Sequence, residues 1–166
     1  MTQALAPPFL VSALVLCVAG LAKLRAPQTA ADALGLPTWI VRALAAGELA
    51  LGAACALHPT RAGAVGLALV YSLFAIVAVV LMRRRVACGC FGDDDLPVSR
   101  AHVIASELLA AMAAAAVFAT PDGLGGLTGE PGLRGVAVLV GVAGATYAMV
   151  LVYTALPRAW AAWGGE

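Results

Sequence analysis

Five nearly uninterrupted apolar runs dominate the sequence: Ala4 to Ala22, Trp39 to Leu57, Ala62 to Met82, Val103 to Thr120 and Gly135 to Leu156. A helix needs about 17 to 25 such residues to cross a hydrocarbon core of roughly 30 Å. Within lipid, every backbone N–H and C=O must be satisfied inside the spanning structure. The runs therefore predict an all-α integral membrane protein, a compact bundle of about five transmembrane helices. Composition agrees, with 63% of residues hydrophobic and 11% charged, whereas a soluble domain uses about 45–50% apolar and about 25% charged residues. The stretches between runs are too short for a soluble domain, so residues 1–166 read as a single membrane-embedded domain in a lipid bilayer.

No Lys or Arg precedes Lys23, so the first run lacks the basic start of a secretory signal and is expected to stay in the mature protein. The runs are rich in Ala and Gly, residues that let membrane helices approach closely where burial gives no extra driving force. Between the first two runs, "APQTAADALGLPT" (Ala26 to Thr38) is too polar and too short to span. Ala30, Ala33, Leu34 and Leu36 fit a short helix lying in the interface, and a surface loop fits equally well. "PDGLGGLTGEPG" (Pro121 to Gly132) reads as the connection between the fourth and fifth runs.

A net charge of +1 gives no bulk attraction to nucleic acid, so no nucleic-acid partner is expected. The positions of the charges say more. With five spans, one side of the membrane holds Lys23, Arg25, Arg42, Arg83, Arg84, Arg85, Arg100 and Arg158, and the other holds Arg61 and Arg134. The positive-inside rule then places the first side in the cytoplasm of a multi-pass plasma-membrane protein.

That side also carries "RRRVACGCFGDDDLPVSR", Arg83 to Arg100. Cys88 and Cys90, with only Gly89 between them, can close a small-ring disulfide if the glycine bends. A strained or exposed disulfide is more oxidising and more exchangeable than a structural one. Arg83 to Arg85 favour a thiolate there, and Asp93 to Asp95 oppose it. Three readings stand: a redox pair, a soft-metal site for Cu(I) or Zn(II), and a chemically inert loop. For zinc the nearest histidine is His102, and the site wants about four ligands. Cys17 and Cys55 differ in depth by roughly 9 Å at about 1.5 Å per residue, beyond the reach of a disulfide, and read as small core residues.

Glu48 falls nine residues into the second run and Glu107 about a turn and a half into the fourth. Carboxylates at such positions are costly unless paired or facing a polar cavity. Depth counting groups both with Lys23, Arg42 and the cysteine loop as one polar cluster, serving either as a proton path or acceptor pocket or as a helix-locking ion pair such as Lys23 with Glu48. Ser99 is expected to cap the fourth helix, and His102 to be a solvated or capping side chain. Trp39, Tyr153, Trp160 and Trp163 lie near span ends and read as an interfacial belt. Tyr71, Phe74 and Tyr147 read as packing residues.

The chain resembles the MauE/DoxX group of redox-associated membrane proteins. The likeness rests on "AGLAKLRAP" (Ala19 to Pro27) closing the first run, "GELALG" (Gly47 to Gly52) in the second and "RRRVACGCFG" (Arg83 to Gly92) leaving the third. These features cover most of residues 9 to 115, and the last run carries no such motif. The resemblance implies a DoxX-like four-helix core plus one helix, working in thiol and disulfide handling beside a thioredoxin-like redox protein. It puts the catalytic pair at Cys88 and Cys90 and carries over Lys23 and Glu48, and the reading of the loop and the polar cluster adds Gly89, Phe91, Arg42, Arg85 and Glu107 in support. Electrons would pass to or from a quinone or a second thiol protein, with no other cofactor required and no metal. A methylamine-specific role does not follow from it. Oxidative maturation implies an extracytoplasmic pair, whereas the charge count puts the pair in the cytoplasm. Two other classes remain as alternatives: a copper- or zinc-binding transport protein, and a non-catalytic assembly subunit of a membrane redox complex.

Overall fold

The computed structural model describes residues 2–84, 98–118 and 133–163. All regular elements among them are helices: α1 (Thr2–Arg25), α2 (Pro27–Leu34), α3 (Thr38–Leu57), α4 (Arg61–Arg84), α5 (Arg100–Phe118), α6 (Leu133–Thr154) and α7 (Leu156–Ala162). Five are long and apolar enough to cross a membrane: Ala4–Arg25, Thr38–Leu57, Arg61–Arg84, Arg100–Phe118 and Gly135–Thr154. They match the five apolar runs, with their ends moved by a few residues where charged side chains complete a last turn, as Lys23 and Arg25 do in α1.

Each helix buries one stripe. In α4 the buried positions are Ala64, Leu67, Tyr71, Ala75, Ala78 and Leu81, three or four residues apart. Leu69, Leu73 and Ile76 point outward, 56–65% exposed. That spacing is the repeat of a helix with one face against protein and the other against lipid.

α1 is the central element, with 56% of its span buried, against 11% for α6. It packs most extensively on α3, while α4 pairs with α5, and α1 also touches α5 and α6. The α1–α3 crossing is close because glycines sit in it. A Cβ added at Gly20 would stand 2.7 Å from the Ala45 carbonyl oxygen, and one at Gly52 would stand 2.7 Å from both the Ala13 carbonyl and the Cys17 sulfur. Without a hydrophobic force between helices in lipid, this backbone-to-backbone contact is what dispersion can act on.

The core between the helices holds Phe9, Leu10, Leu16, Leu67, Tyr71 and Leu109. Polar groups cross-link it. The Tyr71 hydroxyl donates to the Ser12 carbonyl at 2.6 Å, and the Ser12 hydroxyl reaches the carbonyls of Pro8 at 3.1 Å and Leu109 at 3.4 Å. α1, α4 and α5 are thereby tied together, and Tyr71 is the packing residue the sequence predicts.

The segment after α1 resolves as a helix rather than a loop. In α2, Ala30 and Ala31 form a small cluster with Val41 of α3, while Leu34 and Leu36 are exposed. The helix closes with the Leu36 N–H on the Ala31 carbonyl at 3.0 Å. Cys17 and Cys55 are both free thiols. Trp39 and Trp163 are 71% and 85% exposed near helix ends, as a belt requires. Tyr147, expected to pack, is 66% exposed on the outer side of α6, because the inward stripe of that helix runs through Val142 and Thr146 instead.

Candidate functional site

Lys23 lies in the last turn of α1. A helical side chain leans toward the N-terminus of its own helix, so this one points back into the bundle and is only 6% exposed. Glu48 belongs to the buried stripe of α3 formed by Val41, Ala45, Glu48, Gly52 and Cys55. The Lys23 ammonium meets both carboxylate oxygens of Glu48, at 2.6 and 2.7 Å. It also stands 4.4 Å from the centre of the Phe74 ring of α4. An ammonium has three N–H donors. Two go to the carboxylate and the ring face takes up the remaining positive charge, a cation–π contact strengthened by exclusion of water.

The pair is therefore saturated by its own partners. Glu48 and Phe74 each lie ten residues inside the helix end nearest Lys23, Thr38 for α3 and Arg84 for α4, so their backbones sit about 15 Å inside those ends at about 1.5 Å per residue. At that depth an unpaired charge is costly, and breaking a buried pair by removing one partner costs about 3–5 kcal/mol. The arrangement joins three helices through one cation.

Arg42 and Glu107 do not join it. Arg42 is exposed on α3 and Glu107 is exposed on α5. The Ser106 hydroxyl lies 2.9 Å from the Tyr153 hydroxyl, next to the end of α6 at Thr154. That bond places the neighbouring Glu107 level with the end of α6, with its side chain exposed and away from the Lys23–Glu48 pair. Cys88, Gly89, Cys90, Phe91 and Arg85 lie outside the described residues. The flanking residues Arg84 and Val98 are described, and Val98 packs against Ala78 and Leu81 of α4.

A second polar cluster stands where α5 begins. Ser99 is the residue before the helix, and its N–H donates to His102 Nδ1 at 3.3 Å, with the Ser99 hydroxyl 3.2 Å from the same nitrogen. This is the reciprocal half of a capping box, a side chain at the third helical position reaching back to the cap residue. A nitrogen that accepts a backbone N–H cannot also carry a proton, so the ring proton sits on Nε2. Of the two expectations, His102 is the capping side chain, its imidazole accepting the Ser99 N–H, whereas Ser99 takes the His102 N–H on its backbone carbonyl at 3.1 Å rather than on its hydroxyl. The ring, 9% exposed, meets Tyr153 edge-on at 5.6 Å.

Tyr153 thus departs from the belt role expected of it and turns inward to His102 and Ser106. Two partners were not legible in the sequence. Phe74 is 51 positions from Lys23 and Tyr153 is 47 from Ser106, and only the crossing of the helices brings them together. Among the described residues, no group of three or more His, Cys, Asp or Glu side chains is placed to hold a metal ion.

A family model described as methylamine utilisation protein MauE matches residues 2–119. No curated protein and no solved structure matches the chain. The matched stretch holds α1 to α5, and so the Lys23–Glu48 pair and the start of α5, while α6 with Tyr153 lies beyond it. With that much of its length matched, the chain belongs to the MauE family of membrane proteins.

Proposed function

We propose that the protein is a membrane thiol–disulfide oxidoreductase whose working pair is Cys88 and Cys90. The observation that carries this reading is the Cys-Gly-Cys sequence in a chain of this family, set in the connection between two spanning helices, α4 and α5. Two thiols one residue apart form an exchangeable rather than a structural disulfide.

In the exchange, the thiolate of a thioredoxin-like partner attacks one sulfur of the Cys88–Cys90 disulfide and breaks the S–S bond. A mixed disulfide forms, and the freed cysteine leaves as a thiolate that takes up a proton. The partner's second thiol then attacks the mixed disulfide and releases the other cysteine. Two electrons and two protons pass from partner to pair. A quinone, reduced to its quinol, or the disulfide of a second thiol protein accepts them in turn, and the same steps run backwards if the pair acts as a reductant. Arg83, Arg84 and Arg85 favour the thiolate, and Gly89 supplies the bend that the ring requires. Arg42 and Glu107, both exposed, are charges a soluble partner can meet. Lys23 and Glu48 hold the helices in place, a role supported by the complete pairing of their charges.

Acid-quenched alkylation followed by mass spectrometry tests the reading. Cys88 and Cys90 should switch between free and bridged forms as the redox buffer changes, and a pair that stays alkylated under every oxidant refutes it. Stoichiometric metal in the purified protein, lost on changing both cysteines to serine, would establish metal handling in its place. A double serine variant that keeps full activity in its complex would establish an assembly subunit. The basic residues put the pair on the cytoplasmic side, so an impermeant maleimide should label it only after the membrane is opened. Labelling in intact cells would reverse that orientation and favour an extracytoplasmic partner.

A further inference from the structure

Gly20 of α1 faces Ala45 and Leu49 of α3, and Gly52 of α3 faces Ala13 and Cys17 of α1, so the two helices run antiparallel. Each step along a helix turns by about 100° in the same hand. In an antiparallel pair, the residue after a seam position therefore turns to the same side on either helix. Those residues, Val18 and Leu21 on α1 and Ala46 and Ala50 on α3, are all exposed. Glu48, which precedes a seam position, turns the other way and meets Lys23 inside the bundle. Two arginines stand level with each other at one end of the exposed side. Each residue gained along α1 is one lost along α3, so Arg25, five past Gly20, lies opposite Arg42, five before the middle of the stretch from Ala45 to Leu49. Arg25 is four residues on from Leu21 and Arg42 four back from Ala46, so each shares a helix face with the exposed stripe beside it. Both arginines are exposed, and neither has an ion-pair or hydrogen-bond partner among the described residues. Trp39, three residues before Arg42, is 71% exposed on the same face.

We propose that this outer side of the α1–α3 pair is a binding site for an anionic phospholipid, with Arg25 and Arg42 on the headgroup phosphate and the acyl chains along Val18, Leu21, Ala46 and Ala50. The proposal does not depend on the thiol–disulfide chemistry. Packed helices lie about 8–10 Å apart, so two long arginine side chains at one level can converge on a single phosphate, whose oxygens match the forked guanidinium donors. Basic pockets between membrane helices hold anionic headgroups in this way. The two halves of the site demand one molecule. A soluble anion would leave the apolar stripes uncovered, and an apolar partner helix would leave both cations unpaired, whereas a lipid carries a charged end and long apolar chains. The small side chains of Ala46 and Ala50 leave a trough beside Leu21 and Val18 for those chains. A zwitterionic lipid brings its own cation to the arginines, so an anionic one is preferred. Trp39, whose indole N–H is a donor, stands beside the headgroup as residues of an aromatic belt do. Lys23 takes no part, because its charge is already met by Glu48. Arg42 is open to a soluble partner only while the lipid is absent.

The test uses the full-length protein in phosphatidylcholine nanodiscs, with Trp160→Phe and Trp163→Phe leaving Trp39 as the reporter. Phosphatidylglycerol brominated near the headgroup end of its chains is added in rising fractions, and the fraction that half-quenches Trp39 fluorescence is compared with that of equally brominated phosphatidylcholine. The anionic lipid should half-quench at the lower fraction. Each arginine should contribute about fivefold, so Arg25→Gln and Arg42→Gln should each raise the anionic lipid's fraction about fivefold. The double variant should bring it to the value of the zwitterionic lipid. Should the double variant not fold, the two single variants decide. Arg100→Gln, exposed at the start of α5, should change nothing. Glycerol phosphate in millimolar excess should not restore fluorescence, because it lacks the chains. Equal quenching by the two lipids overturns the proposal, as do unchanged values in folded arginine variants. An equal shift in Arg100→Gln means a general surface charge and overturns it too. Competition by glycerol phosphate would replace the lipid with a soluble anion, and absence of quenching by either lipid would mean that protein covers the face; either result refutes the site.

Discussion

The α1–α3–α4 seam and the α5–α6 seam solve the same problem, polar groups inside a membrane bundle, in opposite ways. The first buries a full charge of each sign inside the bundle and matches it with a two-point ion pair and a ring face. The second sits near a helix start and uses neutral groups, the Ser99 N–H, the His102 imidazole and the hydroxyls of Ser106 and Tyr153. Charge at depth must be matched completely or the protein does not hold together. Neutral groups can lose a partner at about the cost of one hydrogen bond, because no uncompensated charge is left behind. The first seam is therefore a lock and the second an adjustable joint.

The widest gap between the seams should come from removing one charge. Lys23→Met leaves Glu48 without its cation and should cost about 3–5 kcal/mol, read as a large drop in thermal stability or loss of folded protein. The Lys23→Met/Glu48→Met double variant should recover most of that loss, since well-packed apolar groups can replace a buried pair. If the single variant is as stable as the double, the pair is no lock and the contrast between the seams collapses.

A smaller effect separates the crossings themselves. Gly52→Ala forces a Cβ to within 2.7 Å of the Ala13 carbonyl and should destabilise by about 1–3 kcal/mol. Gly141→Ala and Gly144→Ala on α6 meet nothing within 4 Å and should be neutral or slightly stabilising by helix propensity. Equal losses at Gly52 and Gly141 would mean that α6 is covered by a partner in the membrane, and the comparison would have to be redrawn with that partner present.

The smallest expected changes are in the hydroxyls. Tyr153→Phe and Tyr71→Phe each remove one hydrogen bond and should cost about 1 kcal/mol in a thermal or denaturant titration. Tyr71 donates to a carbonyl already engaged in helix α1, so its loss strands no buried donor. A much larger penalty at Tyr153 than at Tyr71 would make the α5–α6 seam a second lock rather than a joint.

Composition and run length alone determined the number, type and approximate limits of the membrane helices, because the hydrocarbon core imposes one length and one way of satisfying the backbone. They also determined that Lys23 and Glu48 needed partners, and the pairing of those two was legible because few other charges fall in the spans. Cys88 and Cys90 lie outside the described residues, and the proposal made for them rests on the sequence. Only the tertiary structure decided which way each polar side chain faces. Glu107 turned outward, Tyr153 turned inward, Tyr147 turned to the outer surface, and Phe74 closed over the lysine. Apolar runs made mostly of Ala, Leu, Val and Gly carry little angular contrast around the helix, so the rotation of each helix is set by close packing at places such as Gly20 and Gly52, a property of two helices together that neither run contains by itself.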